Sequence, residues 1–478
     1  MNYETVIGLE IHVELATKSK IYCGCSTEFG AEVNTHICPI CTGMPGTLPR
    51  LNRSVVEYAA KAGTALGCKI RFDGSKQDRK NYFYPDLPKA YQVSQYDLPL
   101  CYNGFLEVKQ PESDRTRKIR IARIHIEEDA GKLIHDACDD TLADYNRCGV
   151  PLIEIVTEPD FRGAAETRHF LEELKLILQY IKVSDCKMQE GSLRCDVNVS
   201  VRPSGSTEFG TRTEMKNVNS FSAVERAIEF ESKRQISCLE DGLEVSQETR
   251  RWDDAKGKSY TLRSKEEAKD YRYFPEPDLR PITLSHDFLE KLGGMPELPQ
   301  SRRNRYVGEF KLSEYDAEQI LSSPEFSDFF DACTKFGAAP KSAANWLLSD
   351  VLKLLNEKNI PIEEIPVSPA SLAELINIVS SGKISNTAGK KVLAEMFASN
   401  EKPDDIVERL GLAQLSDEGE LRKIVVEVLQ NNPKSVADYK AGKDKAAGFL
   451  VGQVMRATKG KGNPQIINSL LLKEIEKF

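Results

Sequence analysis

No run of the 478-residue chain approaches the roughly 18 consecutive apolar residues of a membrane-spanning helix, so none is expected. The opening residues MNYETVIGLEIHVEL lack a basic n-region and carry Glu4, Glu10 and Glu14 within their apolar stretch. A secretory signal is therefore not expected, and a cytoplasmic setting is. Three chemistry-bearing signatures are also missing. There is no G-x-x-x-x-G-K-[ST] for a P-loop, no G-x-G-x-x-G for a dinucleotide fold and no G-x-S-x-G for a serine nucleophile elbow. Any use of ATP calls for an unusual fold. Internal repeats and low-complexity segments are absent too. Nor is there an excess of positive charge. The formal net charge is −8, so a nucleic-acid partner has to meet a local basic patch.

What is present is an ordinary globular balance, 40% hydrophobic and 29% charged, which argues against wholesale disorder. At about 100–200 residues per domain, the length allows two to four domains. The first half reads as strands. VIGLEIHVEL, RTRKIRIARIHIEED, PLIEIVTEP and SLRCDVNVSVR alternate, or nearly alternate, apolar and polar residues. Helical spacing interrupts them at 53–66 and at 164–181, where Leu171, Leu174, Leu178 and Ile181 share a face. From about residue 300 helices take over. Ser368 and Pro369 read as an N-cap and first-turn proline, with Gly382 as the stop. Ser416 opens a further helical segment that ends near Pro433. LGGMPELPQ (292–300) and NEKPDD (400–405) are the expected breaks. The fold class is α+β, a mostly antiparallel sheet domain followed by two small helical domains.

Twelve cysteines are present, ten of them between Cys23 and Cys195. Without a secretory segment, clustered cysteines point to metal ligands or reduced core thiols. Cys23-Gly-Cys25 and Cys38-Pro-Ile-Cys41 form two close pairs twelve residues apart, the supply a tetrahedral zinc needs. Four thiolates would close the coordination shell and make the zinc structural. Four free thiols in a loop is the alternative.

On a strand, Glu10, His12 and Glu14 share one face, opposite Leu9, Ile11 and Val13. Taken alone, that pattern is more often a solvated sheet face. Glu154, however, stands inside the apolar run PLIEIV, where an unpaired charge would cost several kcal/mol. His125 precedes three adjacent acids, Glu127, Glu128 and Asp129. Arg194, Asp196, Asn198, Ser200 and Arg202 alternate along one face of a further strand. A concavity lined by these groups suits magnesium through oxygen ligands and phosphate through guanidinium. DRKNYFYPDLPKAY (78–91) interleaves basic residues with aromatics. Such a segment either holds phosphates and stacks bases or packs down as a rigid surface loop.

The ordered motifs GLEIHVEL, DRKNYFYPDLPKAYQVSQYD, HIEEDAGK, GVPLIEIVTEPD, EGSLRCDVNVSVR, QETRRWD, DYRYFPEPDL and GFLVGQVMRATKGKGNPQ resemble the B-subunit family of the heterotrimeric tRNA-dependent amidotransferases, essentially end to end. The resemblance implies a ligase component that uses ATP and magnesium to phosphorylate the side-chain carboxylate of Glu-tRNA(Gln) or Asp-tRNA(Asn). Ammonia from the amidase (glutaminase) component of the trimer then reaches it through an internal tunnel and displaces the phosphate. A third, small component braces the assembly, and neither membrane nor DNA is implied as a partner. Residues 1–295 would be a β-rich catalytic cradle with the zinc element near 23–41. Residues 296–405 would be a helical domain, and 406–478 a YqeY-like tail that grips tRNA. Carried over, the magnesium set is His12, Glu128 and Glu154 with Glu10 beside them, the choice between Glu127 and Glu128 staying open. Asp196, Asn198 and Lys216 join the cofactor site on strand alternation. Some family members lack the four cysteines, so zinc would lie outside the common chemistry. Two other classes remain: a tRNA-binding scaffold without catalysis, and a stand-alone metal hydrolase. The motifs do not separate glutamine from asparagine specificity.

In the tail, Lys434, Lys440, Lys443, Lys445, Arg456, Lys459 and Lys461 face only Asp438 and Asp444 between residues 434 and 461. This runs against the charge of the whole chain, as an electrostatic footprint for nucleic acid should. Gly460 and Gly462 are expected to let the backbone approach a phosphate, and Pro464 to open the last helix.

Overall fold

The computed structural model describes residues 2–478 except 111–114, 136–139, 265–270, 286, 400, 415–416, 442, 444 and 459–460. It divides into two compact units, Met1–Pro299 and Gln300–Phe478.

The first unit is built on a nine-stranded sheet. In chain order its strands are β1 (Tyr3–Glu14), β2 (Lys69–Ile70), β3 (Cys101–Lys109), β4 (Thr116–Glu128), β5 (Pro151–Thr157), β6 (Leu193–Pro203), β7 (Thr213–Val218), β8 (Glu248–Asp253) and β9 (Lys258–Ser264). They lie side by side as β9-β8-β7-β6-β1-β5-β4-β3-β2. Every neighbouring pair is antiparallel except β7 and β8. The four alternating segments of the sequence are thus the four central strands.

Alternation separates two faces. Leu9, Ile11 and Val13 of β1 join Ile153, Ile155, Val197 and Val199 in one buried cluster with residues of three helices. The helices are α1 (Arg53–Ala65), α2 (Ala164–Tyr180) and α3 (Phe221–Glu240). Asn52 caps α1 by accepting from Ser54 N–H, and Ser220 caps α3 by accepting from Ala223 N–H. Leu171, Leu174, Leu178 and Ile181 enter this core from α2 and its end. The other face of the central strands carries Glu10, His12, Glu154 and Asp196. A small sheet of Phe274–Pro275, Asp78–Asn81 and Tyr91–Ser94 also belongs to this unit.

The second unit is helical. Ser368 caps the helix Pro369–Ser380 by accepting from Ser371 N–H, Pro369 fills its first turn, and Gly382 follows with φ +73°. Helix Pro403–Arg409, with Ile406 and Val407 buried, runs across the expected boundary at residue 405. Ser416 lies outside the described residues, and Asp417 caps the helix Glu418–Asn431. Leu421, Val425, Leu429, Leu450, Val454, Ile467 and Leu471 form a core of their own in the tail.

Candidate active site and cysteine knuckle

Strand register builds the site. One rung across the sheet reads His125 on β4, Glu154 on β5, His12 on β1 and Arg194 on β6. The adjoining rung sets Glu10 opposite Asp196, and Asn198 stands opposite Glu214 on β7. Four strands therefore bring their polar residues to one surface.

Glu154 is the hub. Its carboxylate lies 3.5 Å from His12 Nε2 and 3.1 Å from His125 Nε2, and His125 Nε2 is also 3.3 Å from Glu127 Oε2. Ligand atoms of His12, Glu127 and Glu154 all fall within 4.8 Å of one another. Burial alone would lower the imidazole of His125, but the charges of Glu154 and Glu127 outweigh it and push it up to about 9. His12 moves the same way, with burial overcome by Glu154. Burial opposes ionisation of Glu154, yet His125 and His12 hold it well below the usual range. The two imidazoles thus supply the positive charge that the acids require. One nitrogen and two carboxylate oxygens suit a divalent cation, which would take His12 as a neutral imidazole.

A second group adjoins it. Glu10, Asp196 and Glu214 offer three carboxylates within 4.8 Å. Asn198 Nδ2 donates to Glu10 at 3.1 Å, and Lys216 pairs with both Asp196 and Glu214, the latter at 2.9 Å. Burial, reinforced by the charge of Glu154, raises the Glu10 carboxyl above its usual range. Asp196, Asn198 and Lys216 therefore stand where strand alternation expects them.

Glu128 does not join this site, and its expected place among the metal ligands is corrected. It follows Glu127 on β4, so its side chain turns to the opposite face. There it pairs with Lys89 and accepts from Val93 N–H at 2.8 Å. The expected guanidiniums are also committed elsewhere, Arg194 to Asp129 at 2.6 Å and Arg202 to Glu4 at 2.7 Å. Lys216 is left as the cation beside the acids of β6 and β7. Sequence reasoning missed Glu214, although it sits two residues before Lys216 and so shares its face. It also missed the ligand-side role of His125, which register alone reveals.

Behind Glu128 lies a cavity of about 170 Å³ lined by Lys20, Tyr22, Cys41, Lys89, Tyr91 and Glu128 among others. It borders the cysteine knuckle. The sulfurs of Cys23, Cys25, Cys38 and Cys41 lie within 4.8 Å of one another. Cys38 N–H donates to Cys41 Sγ at 3.2 Å. Hydrogen bonding from Cys23 lowers the Cys41 thiol despite its burial. Four convergent sulfurs with an amide aimed at one of them fit a tetrahedral zinc. Lys20, with no exposed surface, donates to the carbonyls of His36 at 2.7 Å and Tyr145 at 3.4 Å and sits 3.8 Å from Cys41 Sγ.

Comparison with known proteins now decides the family. The family model described as "GatB/GatE catalytic domain" matches residues 5–290, and "GatB domain" matches 328–475. The chain belongs to the B-subunit family of the tRNA-dependent amidotransferases. It is similar to the aspartyl/glutamyl-tRNA(Asn/Gln) amidotransferase B subunit of Caldicellulosiruptor bescii, at 59% identity over 100% of both chains. The proteins of that name from a Thermoanaerobacter species and from Clostridium tetani are 56% and 50% identical, again over 100% of each chain. The catalytic-domain match covers the nine-stranded sheet except Tyr3 and Glu4 of β1, so it includes both acid groups. No described helix is long and apolar enough to cross a membrane.

Proposed function

We propose that the polar sheet face activates the side-chain carboxylate of glutamate or aspartate esterified to tRNA, as the B subunit of a glutamine-hydrolysing amidotransferase. The observation that carries this reading is the convergence of His12, Glu127 and Glu154 beside Glu10, Asp196 and Glu214 on one surface. Phosphoryl transfer needs little covalent help from protein, but it needs charge neutralised around the transferring oxygens.

His12, Glu127 and Glu154 would hold magnesium, with Glu10, Asp196 and Glu214 as the second acidic position. A cation held by these residues would screen phosphate oxygens and polarise the phosphoryl group. Lys216, held by Asp196 and Glu214, presents an ammonium for a phosphate oxygen. Asn198 fixes the Glu10 carboxylate by its side-chain amide. His125 fixes the Glu154 carboxylate from the far side. In the reaction, a carboxylate oxygen of the aminoacyl group attacks the γ-phosphorus of ATP and ADP departs. Ammonia supplied by the amidase partner attacks the resulting acyl phosphate at carbon, inorganic phosphate leaves with the bonding pair, and one proton is released. A third, small protein completes the assembly. The four cysteines would hold a structural zinc with no open position.

The test uses the assembled enzyme with wild-type partners. Glu127→Gln is expected to lower ADP release dependent on misacylated tRNA by roughly 10²–10³-fold while glutamine hydrolysis by the partner continues. Full transamidation in that variant would defeat the assignment. ADP or phosphate release indifferent to tRNA would favour a stand-alone hydrolase.

A further inference from the structure

The tyrosines around the acidic site come from segments far apart in sequence. Tyr82 follows the strand Asp78–Asn81, Tyr96 follows Tyr91–Ser94, and Tyr271 and Tyr273 precede Phe274–Pro275. The small three-stranded sheet gathers them. Asn81 N–H donates to the Tyr271 carbonyl at 3.0 Å, and Asn81 Nδ2 to the Arg272 carbonyl at 2.9 Å. Arg272 turns there with φ +43°. The rings then form a continuous series. Tyr82 meets Tyr271 edge-on at 5.6 Å, Tyr271 meets Tyr273 edge-on at 6.0 Å, and Tyr273 is stacked on Tyr96 at 4.5 Å with 11° between planes.

Two features separate this series from rings merely packed into a core. Tyr96, at the stacked end, is 60% exposed, so a parallel pair ends in a largely solvent-facing ring. A third flat ring extends such a stack with little reorganisation. The other feature is Lys80, whose Nζ lies 5.1 Å from the centroid of Tyr271 and 5.8 Å from that of Tyr82. Burial opposes the charge on Lys80, but Glu127, Tyr273, Tyr82 and Glu154 outweigh it and raise its ammonium above the usual range. Ser94, on the strand that leads to Tyr96, donates from Oγ to Glu127 Oε2 at 3.2 Å. The wall thus adjoins the proposed phosphoryl-transfer acids, and its exposed ring at Tyr96 offers a stacking surface.

We infer that Tyr82, Tyr96, Tyr271 and Tyr273 form the binding wall for an adenosine moiety whose phosphate or ester end reaches the Glu127–Glu154 site. The chemistry that fits is a flat base at Tyr96 joined through a sugar to an anionic or ester group beside Lys80. This inference rests on the phosphoryl-transfer reading, which supplies two such moieties. One is the adenosine of ATP, and the other is the terminal adenosine of the tRNA that carries the aminoacyl group.

The experiment separates these sources and separates failure of the wall from failure of the reading. Wild-type complex and its Tyr96→Ala and Tyr96→Phe variants are titrated with magnesium ATP and with magnesium tripolyphosphate. They are also titrated with tRNA and with the same tRNA lacking its terminal adenosine. A lost stacking contact is expected to weaken the adenosine-bearing probe by roughly 10- to 100-fold, with its truncated counterpart unchanged and Tyr96→Phe retaining binding. A loss confined to ATP over tripolyphosphate assigns the wall to the nucleotide. A loss confined to intact over shortened tRNA assigns it to the acceptor end. Binding of all four probes within about twofold of wild type in Tyr96→Ala, or an equal loss for both members of each pair, overturns the inference while leaving the phosphoryl-transfer reading in place. Absence of tRNA-dependent ADP release in the wild-type complex brings down that reading and the inference with it.

Discussion

Glu127 and Glu128 are chain neighbours that end on opposite faces of one strand, and the two surroundings solve the same electrostatic problem differently. Glu127 meets His125 at 3.3 Å, and its ligand oxygen lies within 4.8 Å of those of Glu154 and of the His12 ring nitrogen. Its charge is balanced by imidazoles, which a divalent cation can replace. Glu128 meets a lysine and a backbone amide, so the protein neutralises it permanently. A cluster of acids balanced by titratable groups is a site. A carboxylate with a fixed counter-ion is a strut.

The strongest way to break that contrast is to remove each carboxylate in turn. Glu127→Gln is expected to lower tRNA-dependent ADP release by roughly 10²–10³-fold, the usual loss when a charge that stabilises a transferring group is removed. Binding of manganese, read by electron paramagnetic resonance, should weaken in parallel. Glu128→Gln should leave manganese affinity within about threefold of wild type. It strands a buried lysine, however, since the two side chains are only 10% and 3% exposed, and should reduce stability by about 3 kcal/mol. Equal loss of metal binding in both variants would erase the distinction.

Much of this was legible in advance. Alternation marks β1, β4, β5 and β6, and Glu154 stands out because a carboxylate inside PLIEIV needs a partner. Alternation also places Glu127 in phase with His125. It cannot say that Glu154 lies opposite, because register is fixed by packing between strands about thirty residues apart, so the choice between Glu127 and Glu128 stayed open. Lys20 carried no signal, and Lys89 showed only as a basic residue among the aromatics of 78–91. Each finds its acceptors through the tertiary fold, Lys20 at residues 36, 41 and 145 and Lys89 at residue 128. Gly462 illustrates a different misreading. It is buried, and a Cβ there would come within 2.5 Å of Ile467 and 2.9 Å of Thr458 Oγ1, so it is small for packing and not for a phosphate.

A smaller effect is expected at the knuckle, where Lys20 plays towards sulfur the part that Lys89 plays towards carboxylate. A zinc held by four thiolates carries a net negative charge, and the buried ammonium of Lys20 lies beside Cys41. Lys20→Met should weaken zinc binding by roughly 10- to 100-fold in competition with a chromogenic chelator, the usual loss for an outer partner of a metal ligand. In the cobalt-substituted protein, the thiolate-to-metal charge-transfer band should shift as well. Unchanged affinity and spectrum would show that Lys20 serves only the two carbonyls. Protein prepared without chelator should contain about one zinc per chain.

The smallest effect belongs to charges that are not buried at all. Lys434, Lys440, Lys443, Lys445, Arg456 and Lys461 are exposed on the tail, while Lys459 and Asp444 lie outside the described residues. Of these exposed cations, Lys443 already pairs with Asp438 at 2.9 Å. Exposed cations contribute little to folding, so replacing Lys434, Lys440 and Lys445 together by glutamine should leave the tail core of Leu421, Val425 and Leu471 intact. If the tail grips tRNA through phosphates, affinity should fall mainly at low salt. Each lost contact should reduce the slope of log affinity against log salt by about 0.7–0.9, or about 2–3 for all three. Glutamine hydrolysis by the partner should be unaffected. A truncation that removes the grip outright belongs after Gln414, because a cut at residue 405 would divide the helix Pro403–Arg409 and expose Ile406 and Val407. An unchanged salt slope in both variants would mean that the positive charge of the tail keeps it soluble and nothing more, leaving recognition of tRNA to the sheet domain.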